Sequence, residues 1–309
     1  MLDLATVIRI SAEFSPAEKD RARAAAARDP RLRVALEAVG YGLTQTLAAA
    51  PQLVARWEDA RTASPYGWAV LTAALDVARL GASAPLSIDF LHAAAPGYCT
   101  SQQQAEALEN WFERALAYAS DKLYGAVAAL SPAGAGMGRV AGYMAADYLV
   151  QHANRERRYE RVPASTWDAL VSHIGDPADA ARLADSARNR LLYRYATSLY
   201  QHAANVGDRY AAGQLAKLLA RRGDLDGLRA LADDGNRYAA VRLAGLLADR
   251  GDLDGAEQVL RARANAGDED IVEQRAGLLA HLLVKQGRSE EAERLRRFGL
   301  NPDGSIARA

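Results

Sequence analysis

The sequence predicts a mainly α-helical fold whose second half is a stack of helical repeats. Two phrases recur with the same spacing of 28 residues: Arg-Tyr-Ala-Ala begins at Arg209 and again at Arg237, and Arg-Gly-Asp-Leu-Asp-Gly begins at Arg222 and again at Arg250. A fixed period of this length is typical of helical arrays. Elsewhere in the chain, helix starts are marked by a capping residue followed by proline, which supports the same fold class.

Each copy of the repeat predicts a helix, a turn and a second helix. Asp208 precedes a run in which apolar residues recur every three or four positions, the spacing of an amphipathic helix: Ala211, Ala212, Leu215, Leu218 and Leu219. Gly223 ends this helix, and the carboxylate of Asp224 caps a shorter one that ends at Gly235. Because neither helix can bury its apolar face alone, neighbouring repeats are expected to stack.

Length, charge and cysteine content narrow the class of protein. A chain of 309 residues exceeds the usual size of one domain, so two or three modules are expected. Lys plus Arg and Asp plus Glu are both 38, so no overall field attracts nucleic acid or an acidic membrane surface. Cys99 is the only cysteine, which excludes an intramolecular disulfide and fits a reducing compartment. With no secretory signal and no long apolar run, we expect a cytoplasmic protein without a membrane partner.

The beginning of the chain predicts one strand followed by a helix. Residues 4–10 form a short run rich in β-branched side chains, which favours a strand. Ser15, Pro16 and Glu18 then combine an N-cap, a first-turn proline and a capping-box glutamate, which is a strong helix start. The same cap-then-proline device stands at Asp29-Pro30, Ser64-Pro65 and Asp176-Pro177.

The next stretch predicts further helices. The helix that starts at Pro65 is expected to end at Gly81. Between Pro30 and Pro65, two shorter helical pieces are expected, with a break at Pro51, because proline lacks the amide donor that a helix interior needs.

The middle of the chain predicts short helices and then a hairpin. Ser87 caps one helix, and Ser101 with Gln104 forms a capping box before another. Residues 123–130 and 139–143 are expected to pair as strands around a glycine-rich loop. Helices followed by a hairpin describe a winged helix.

From Ser165 onward, the pattern consists of helices separated by Gly-Asp or Asp-Pro turns. The last helix, Ser289 to Phe298, mixes acidic and basic residues, as expected for the polar outer face of a terminal repeat. We place a domain boundary near residue 160.

Several phrases in this chain resemble a known family. They include Phe-Ser-Pro-Ala-Glu, Leu-Thr-Gln-Thr-Leu-Ala and Ala-Ala-Pro-Gly-Tyr, and they lie at residues 14–18, 29–32, 43–48, 51–54, 94–98, 111–118 and 146–149. Together they are similar to the C-terminal region of STAND-type signalling NTPases of actinobacteria. In that family, a nucleotide-binding domain is followed by a helical lid, a winged helix and tetratricopeptide-like sensor repeats. The resemblance covers nearly the whole chain.

The resemblance implies three domains. Residues 1–82 correspond to the end of the NTPase module and its helical lid, 83–160 to a winged-helix-like domain, and 161–309 to a tetratricopeptide-like sensor domain. Pro51 falls on the lid proline that lies near adenine in related NTPases. The chain contains no Gly-x-x-x-x-Gly-Lys-Ser/Thr loop and no strand ending in acidic Mg²⁺ ligands, so we expect no cofactor and no ATP hydrolysis. An NTPase domain, in cis or in trans, is then an expected partner.

Three patterns that carry chemistry in other proteins are expected to be structural here. Residues 134–138 are glycine-rich, but no Lys-Ser/Thr pair or capped helix follows, so we interpret them as a hairpin loop. Cys99 and His92 have no third group to complete a nucleophile and base arrangement. The histidines lack the short spacing of metal ligands, so no metal site is expected: His92, His152, His173, His202 and His281.

Arginine and tyrosine residues of the repeats are the candidate partner-binding set. Because equivalent positions in stacked repeats lie along one edge, Arg209-Tyr210 and Arg237-Tyr238 form a candidate row for an acidic partner. Tyr193 and Tyr200 are added, since tyrosine suits surfaces that are half buried and half wet. The alternative is that the rings fill wedges between helices and that the arginine stems pack.

The leading hypothesis is a non-catalytic sensor and protein-interaction segment of a STAND-type signalling ATPase, with a protein or peptide partner on the repeats. The alternative is a DNA-binding regulator that uses the winged helix and the basic run from Arg155 to Arg161. Glu156 and Glu160 interrupt that run, so a solvated helix between domains is favoured over a nucleic-acid site.

Overall fold

A computed structural model describes residues 15–27, 36, 43–123, 127–262, 272–301 and 305–308; the side chains at 43–51 and 272–274 are not described. The chain divides into two compact units, Met1–Arg182 and Leu183–Ala309. The strand expected at 4–10 and the helix start at Asp29-Pro30 lie outside the described residues. The boundaries expected at residues 82 and 160 stay predictions.

The mainly α-helical fold class is confirmed. Each unit consists largely of helices, and the first also contains a small antiparallel sheet. None of the described helices combines the length and the apolar character that crossing a bilayer requires.

The first unit contains eight α-helices among its described residues, and a ninth crosses the division between the units. They are α1 (Pro16–Ala26), α2 (Leu43–Ala63), α3 (Pro65–Leu80), α4 (Ile88–Ala94), α5 (Ser101–Ala105), α6 (Trp111–Ser120), α7 (Asp147–Glu156), α8 (Ala164–His173) and α9 (Pro177–Asn189). A 3₁₀ turn, Ala95–Tyr98, follows α4. The capping box of Ser15 and Glu18 is confirmed, as is the cap that Ser87 gives to α4 through the amide of Phe90.

Helix α3 is the centre of the first unit. It contacts α2, α4, α6 and α7, so apolar side chains are buried on all its sides rather than along one stripe. Val70, Leu71 and Leu75 are among its fully buried residues. As the sequence predicts, Gly81 ends the helix, and its φ of 121° is one that residues with a side chain rarely adopt.

Two details of this helical unit differ from the sequence prediction. Helix α2 is continuous through Pro51, and the burial of Leu53 and Trp57 just beyond it explains why the lost hydrogen bond is tolerated. The second capping box is formed by Thr100 and Gln103, one residue earlier than predicted. It starts only the short α5, and a separate helix, α6, follows, in which Phe112, Ala115 and Ala119 are buried.

The predicted hairpin is present, with a later start. Strands β1 (Leu130–Gly134) and β2 (Val140–Ala145) pair antiparallel, with Leu130 opposite Ala145. Residue Leu123, where the first strand was expected to begin, instead forms an isolated bridge with Val127. The expectation for residues 134–138 is confirmed: they form the end of β1 and the connecting turn.

A single backbone bridge joins the hairpin to the segment between α3 and α4. The amide of Leu86 donates to the carbonyl of Tyr143 at 2.9 Å, and the amide of Tyr143 donates back at 2.8 Å. A Cβ at the neighbouring Gly142 would lie 2.5 Å from the Leu86 carbonyl oxygen, so the close approach requires glycine.

A buried carboxylate links α3 to the segments that follow. Asp76 is fully buried, and its two oxygens accept hydrogen bonds at 2.9 Å from Nε and Nη2 of Arg157. The hydroxyl of Tyr98 donates to the same carboxylate at 3.0 Å, and Arg79 forms a further ion pair. Burial, and then the negative charge of Asp76, raise the pKa of Tyr98, so its hydroxyl stays a donor.

The second unit is the repeat array. Its helices are α10 (Tyr193–Asn205), α11 (Arg209–Arg222), α12 (Leu225–Asp233), α13 (Arg237–Asp249), α14 (Leu253–Ala262), α15 (Val272–Lys285) and α16 (Ser289–Phe298). The predicted helix–turn–helix unit is confirmed in both copies, as α11 with α12 and α13 with α14. Of the predicted apolar face of α11, Ala211, Leu215, Leu218 and Leu219 are buried and Ala212 is half-buried. The next copy buries Ala239, Leu243 and Leu247 at the equivalent positions.

The turns between these helices share one geometry. In five of them a glycine with φ between 68° and 98° follows the helix: Gly207, Gly223, Gly235, Gly251 and Gly287. Its amide bonds to the carbonyl three residues earlier, and the next amide bonds to the carbonyl five residues earlier, which is the Schellman arrangement. Leu191 adopts the same conformation at φ 61° and makes the same pair of bonds.

Candidate partner-binding groove

A groove of about 580 Å³ lies in the second unit, at the end where α11 and α13 begin. We call it the repeat groove. Its polar lining comes from the end of α10, the starts of α11 and α13 and the end of α12: Gln201, Asn205, Asp208, Arg209, Asp234, Asn236, Arg237 and Tyr238. Arg209, Arg237 and Tyr238 of the predicted set therefore line one common cavity.

Two capping residues hold the groove's edge. The carboxylate of Asp208 accepts from the amide of Ala211 at 3.0 Å and so fixes the start of α11. One repeat later, the side-chain oxygen of Asn236 accepts from the amides of Tyr238 and Ala239 at 3.0 and 3.1 Å. Its amide nitrogen donates to the carbonyl of Ala212 at 3.2 Å, which joins α13 to α11. The period of 28 residues thus places two helix starts side by side.

Arg237 and Tyr238 form a stacked pair within the groove. The guanidinium carbon of Arg237 lies 5.1 Å from the centre of the Tyr238 ring, and Nη2 donates to the hydroxyl at 3.5 Å. The ring also lies close to α11: a Cβ built on Gly213 would lie 3.4 Å from Cδ2 of Tyr238. Both side chains are half-buried. The pair is therefore held between the groove and the preceding repeat.

Arg209 and Tyr210, the equivalent pair, separate. Arg209 is exposed in the groove and makes no hydrogen bond or ion pair with the residues that the structure describes. Tyr210 does not line the groove, and its hydroxyl donates to Asp185 at 2.8 Å. Of the row predicted from the repeat, Arg209, Arg237 and Tyr238 line the groove, and Tyr210 does not.

Asp185 is the centre of a polar cluster that takes up two of the predicted tyrosines. Besides Tyr210, it accepts from the hydroxyl of Tyr200 at 2.5 Å and pairs with Arg188 at 3.0 Å. Tyr200 is fully buried, and burial followed by the hydrogen bond to Asp185 raises its pKa. Tyr200 thus belongs to the core. Tyr193 is 38% exposed and lies outside the groove lining.

The groove presents mixed polar chemistry. Arg209 and Arg237 supply guanidinium donors, whereas Asp208 and Asp234 add two carboxylates to the lining. Side-chain amides, which both donate and accept, complete it at Gln201, Asn205 and Asn236. Sequence reasoning missed these amides; only Asn236 carries a signal, because it stands one period after the cap Asp208.

The other predicted features lie in the first unit. In the basic run, α7 ends at Glu156, so the expected helix does not continue through it. Arg157 binds the buried Asp76 and is not available to phosphate groups. Pro51 lies inside α2, and its side chain is not described.

The cysteine and histidine weighed as possible catalytic groups or metal ligands, Cys99 and His92, make structural contacts in the first unit. The Cys99 sulfur lies 4.0 Å from the carbonyl oxygen of Ala95, and burial raises the pKa of its thiol. The His92 ring packs against Trp111 and Phe112, with ring centres 5.3 and 5.0 Å apart. Among the described residues, no cluster of three or more His, Cys, Asp or Glu side chains is suited to hold a metal ion.

Comparisons with known proteins return no match to a family model, to a curated protein or to a solved structure.

Proposed function

We propose that the second unit is a non-catalytic protein-interaction module whose partner places an acidic segment in the repeat groove. One observation supports this above the others: two arginines that stand at equivalent positions of consecutive repeats line the same cavity, together with Tyr238. A planar guanidinium matches a carboxylate through two parallel hydrogen bonds, so each arginine is suited to one acidic side chain.

The rest of the lining favours a peptide over a uniformly charged polymer. Gln201, Asn205 and Asn236 can bond the amide and carbonyl groups of an extended main chain. Asp208 and Asp234 repel negative charge between the arginines. An acidic peptide with spaced carboxylates meets both conditions, whereas the continuous phosphate backbone of a nucleic acid does not.

The wider proposal is that the array is the sensing part of a STAND-type signalling protein. It rests on the resemblance of the sequence phrases. The order of elements in the first unit supports it, because the Leu86 bridge, three further α-helices and a hairpin follow α3, and helices followed by a hairpin describe a winged helix. Partner binding would then bias the conformation of an NTPase supplied in cis or in trans. Phosphate release from ATP by this purified chain, lost on mutation of its own residues, would overturn the non-catalytic part.

The groove is tested with a defined probe. A fluorescein-labelled peptide of alternating glutamate and alanine is titrated with the whole chain and followed by fluorescence anisotropy. We expect saturable binding that weakens with salt, since the contacts are ionic, and no binding of the same peptide with glutamine in place of glutamate. Replacing Arg209 and Arg237 together by alanine should abolish the signal.

A matched control separates the groove from general charge. Arg242 lies on α13, as Arg237 does, is exposed, and is not part of the groove lining. Arg242→Ala should leave the affinity for the glutamate peptide unchanged. Equal losses in Arg242→Ala and Arg237→Ala, or no binding by the unmodified chain, would refute the proposed site.

A further inference from the structure

We infer that Gly213 is a positioning residue for Arg237, acting through the Tyr238 ring, and that this support makes Arg237 the specificity-determining arginine of the groove. The inference rests on the proposed function. It assigns different roles to two arginines that the sequence repeat presents as equivalent.

The contact that carries the inference lies between α11 and α13. The three atoms nearest to a Cβ built on Gly213 all belong to the Tyr238 ring: Cδ2, Cε2 and Cγ at 3.4, 3.6 and 3.7 Å. The ring therefore covers the point where a side chain at position 213 would project. Glycine is a poor residue for a helix interior, and here its missing side chain leaves room for the ring.

A second glycine within a helix, Gly245, has different surroundings. Gly245 lies in the interior of α13, and a Cβ added there would meet nothing within 4 Å. In the next repeat, position 213 corresponds to Val241. The repeat therefore does not require glycine at this position. Glycine occurs in the copy where the Tyr238 ring packs against the helix.

The ring in turn supports Arg237. A guanidinium over an aromatic face is attracted to the ring, which restricts the rotamers of the long arginine side chain. In this structure the guanidinium lies over the Tyr238 ring and also bonds its hydroxyl. Arg209 has no comparable support among the described residues, since its neighbour Tyr210 bonds Asp185. The Tyr238 ring therefore fixes the position of the Arg237 guanidinium, and Arg209 lacks this support among the described residues.

Substitutions at position 213 test this directly. Alanine fits, because its Cβ would be in ordinary contact with the ring. The branched methyl groups of valine extend further and should displace it. We expect Gly213→Ala to bind the glutamate peptide as the unmodified chain does, and Gly213→Val to bind about five-fold more weakly, mainly through faster dissociation. Gly245→Val controls for the effect of valine on a helix.

A second measurement does not depend on any ligand. In the unmodified chain, the Hε proton of Arg237 should show a ring-current shift in its NMR signal. The shift should persist in Gly213→Ala and Gly245→Val, and disappear in Gly213→Val and Tyr238→Leu. Loss of peptide binding in Gly245→Val to the same extent, or an unchanged Arg237 signal in Gly213→Val, would overturn the inference. If the unmodified chain binds no peptide, the proposed function fails, while the NMR result still decides whether Gly213 positions Arg237.

Discussion

Because Leu191 has a left-handed backbone conformation, we expect glycine to be more stable than alanine at this position, which reverses the order found inside helices. At φ 61°, Leu191 occupies the position that glycine holds in the five equivalent turns of the same unit. A residue with a Cβ is destabilised there by roughly 1–2 kcal/mol relative to its right-handed form. Glycine avoids that strain but gains roughly 0.4–1 kcal/mol of additional freedom in the unfolded chain. We therefore expect Leu191→Gly to be more stable than Leu191→Ala by about 0.5–1 kcal/mol.

Comparing two variants removes the contribution of the leucine side chain. Leu191 is 70% exposed, and both substitutions remove the same partial burial. Gly245 is the matched control because it lies in a helix interior with open space around it. There the order should be the usual one, with Gly245→Ala more stable than the unmodified chain by about 1 kcal/mol.

Urea denaturation followed by far-UV circular dichroism measures these differences as shifts of the midpoint at constant slope. The fluorescence of Trp57, Trp68, Trp111 and Trp167 reports separately on the first unit, because all four tryptophans lie there. A Leu191→Ala chain at least as stable as Leu191→Gly would show that the backbone at 191 is not held in the left-handed region, and the reasoning would fail.

Three further substitutions test contacts in the two units, each by denaturation of the whole chain. Asp76→Asn should destabilise the first unit by about 3–5 kcal/mol, because Arg157 would keep a buried charge without its partner. As a control, Asp121→Asn breaks an exposed pair with Arg56 and should cost less than about 1 kcal/mol. Gly142→Ala should destabilise the first unit by about 1–3 kcal/mol, since the new methyl group would overlap the Leu86 carbonyl. The tryptophan-monitored urea midpoint should fall accordingly, and an unchanged midpoint would contradict the bridge. Tyr200→Phe should lower the free energy of unfolding by about 1–3 kcal/mol, as followed by circular dichroism, and Tyr210→Phe should lower it less. Only the Tyr200 hydroxyl donates to Asp185 from a fully buried side chain. Equal losses would contradict this difference in burial.

The local features of the fold were predictable because they depend on neighbours in sequence. The period of the array, the caps at Asp208 and Asp224, and the helix ends at Gly223 and Gly235 all follow from short-range geometry. At Leu191 a leucine, not a glycine, adopts the left-handed conformation, so no glycine in the sequence marks that helix end. Pro51 misled for a related reason: the burial of the residues after it, which sustains α2, depends on packing against other helices.

The candidate site was predictable only in part. Arg209-Tyr210 and Arg237-Tyr238 are identical in sequence, yet Tyr210 bonds Asp185 and Tyr238 packs over Gly213. The difference arises from residues on other helices, which the repeat itself does not specify. A repeated phrase predicts a repeated position, whereas the direction of a long side chain depends on what the neighbouring helix offers.

The turns of the array also limit how its length can change. In the turn after α11, the left-handed Gly223 is followed at once by Asp224, the cap of the next helix, and Gly251 with Asp252 repeats the arrangement. Each residue in such a connection either ends one helix or caps the next. A single inserted residue would therefore disrupt a helix end. An array built in this way grows or shrinks by whole repeats, and the 28-residue unit is the natural segment to duplicate or delete when its reach is redesigned.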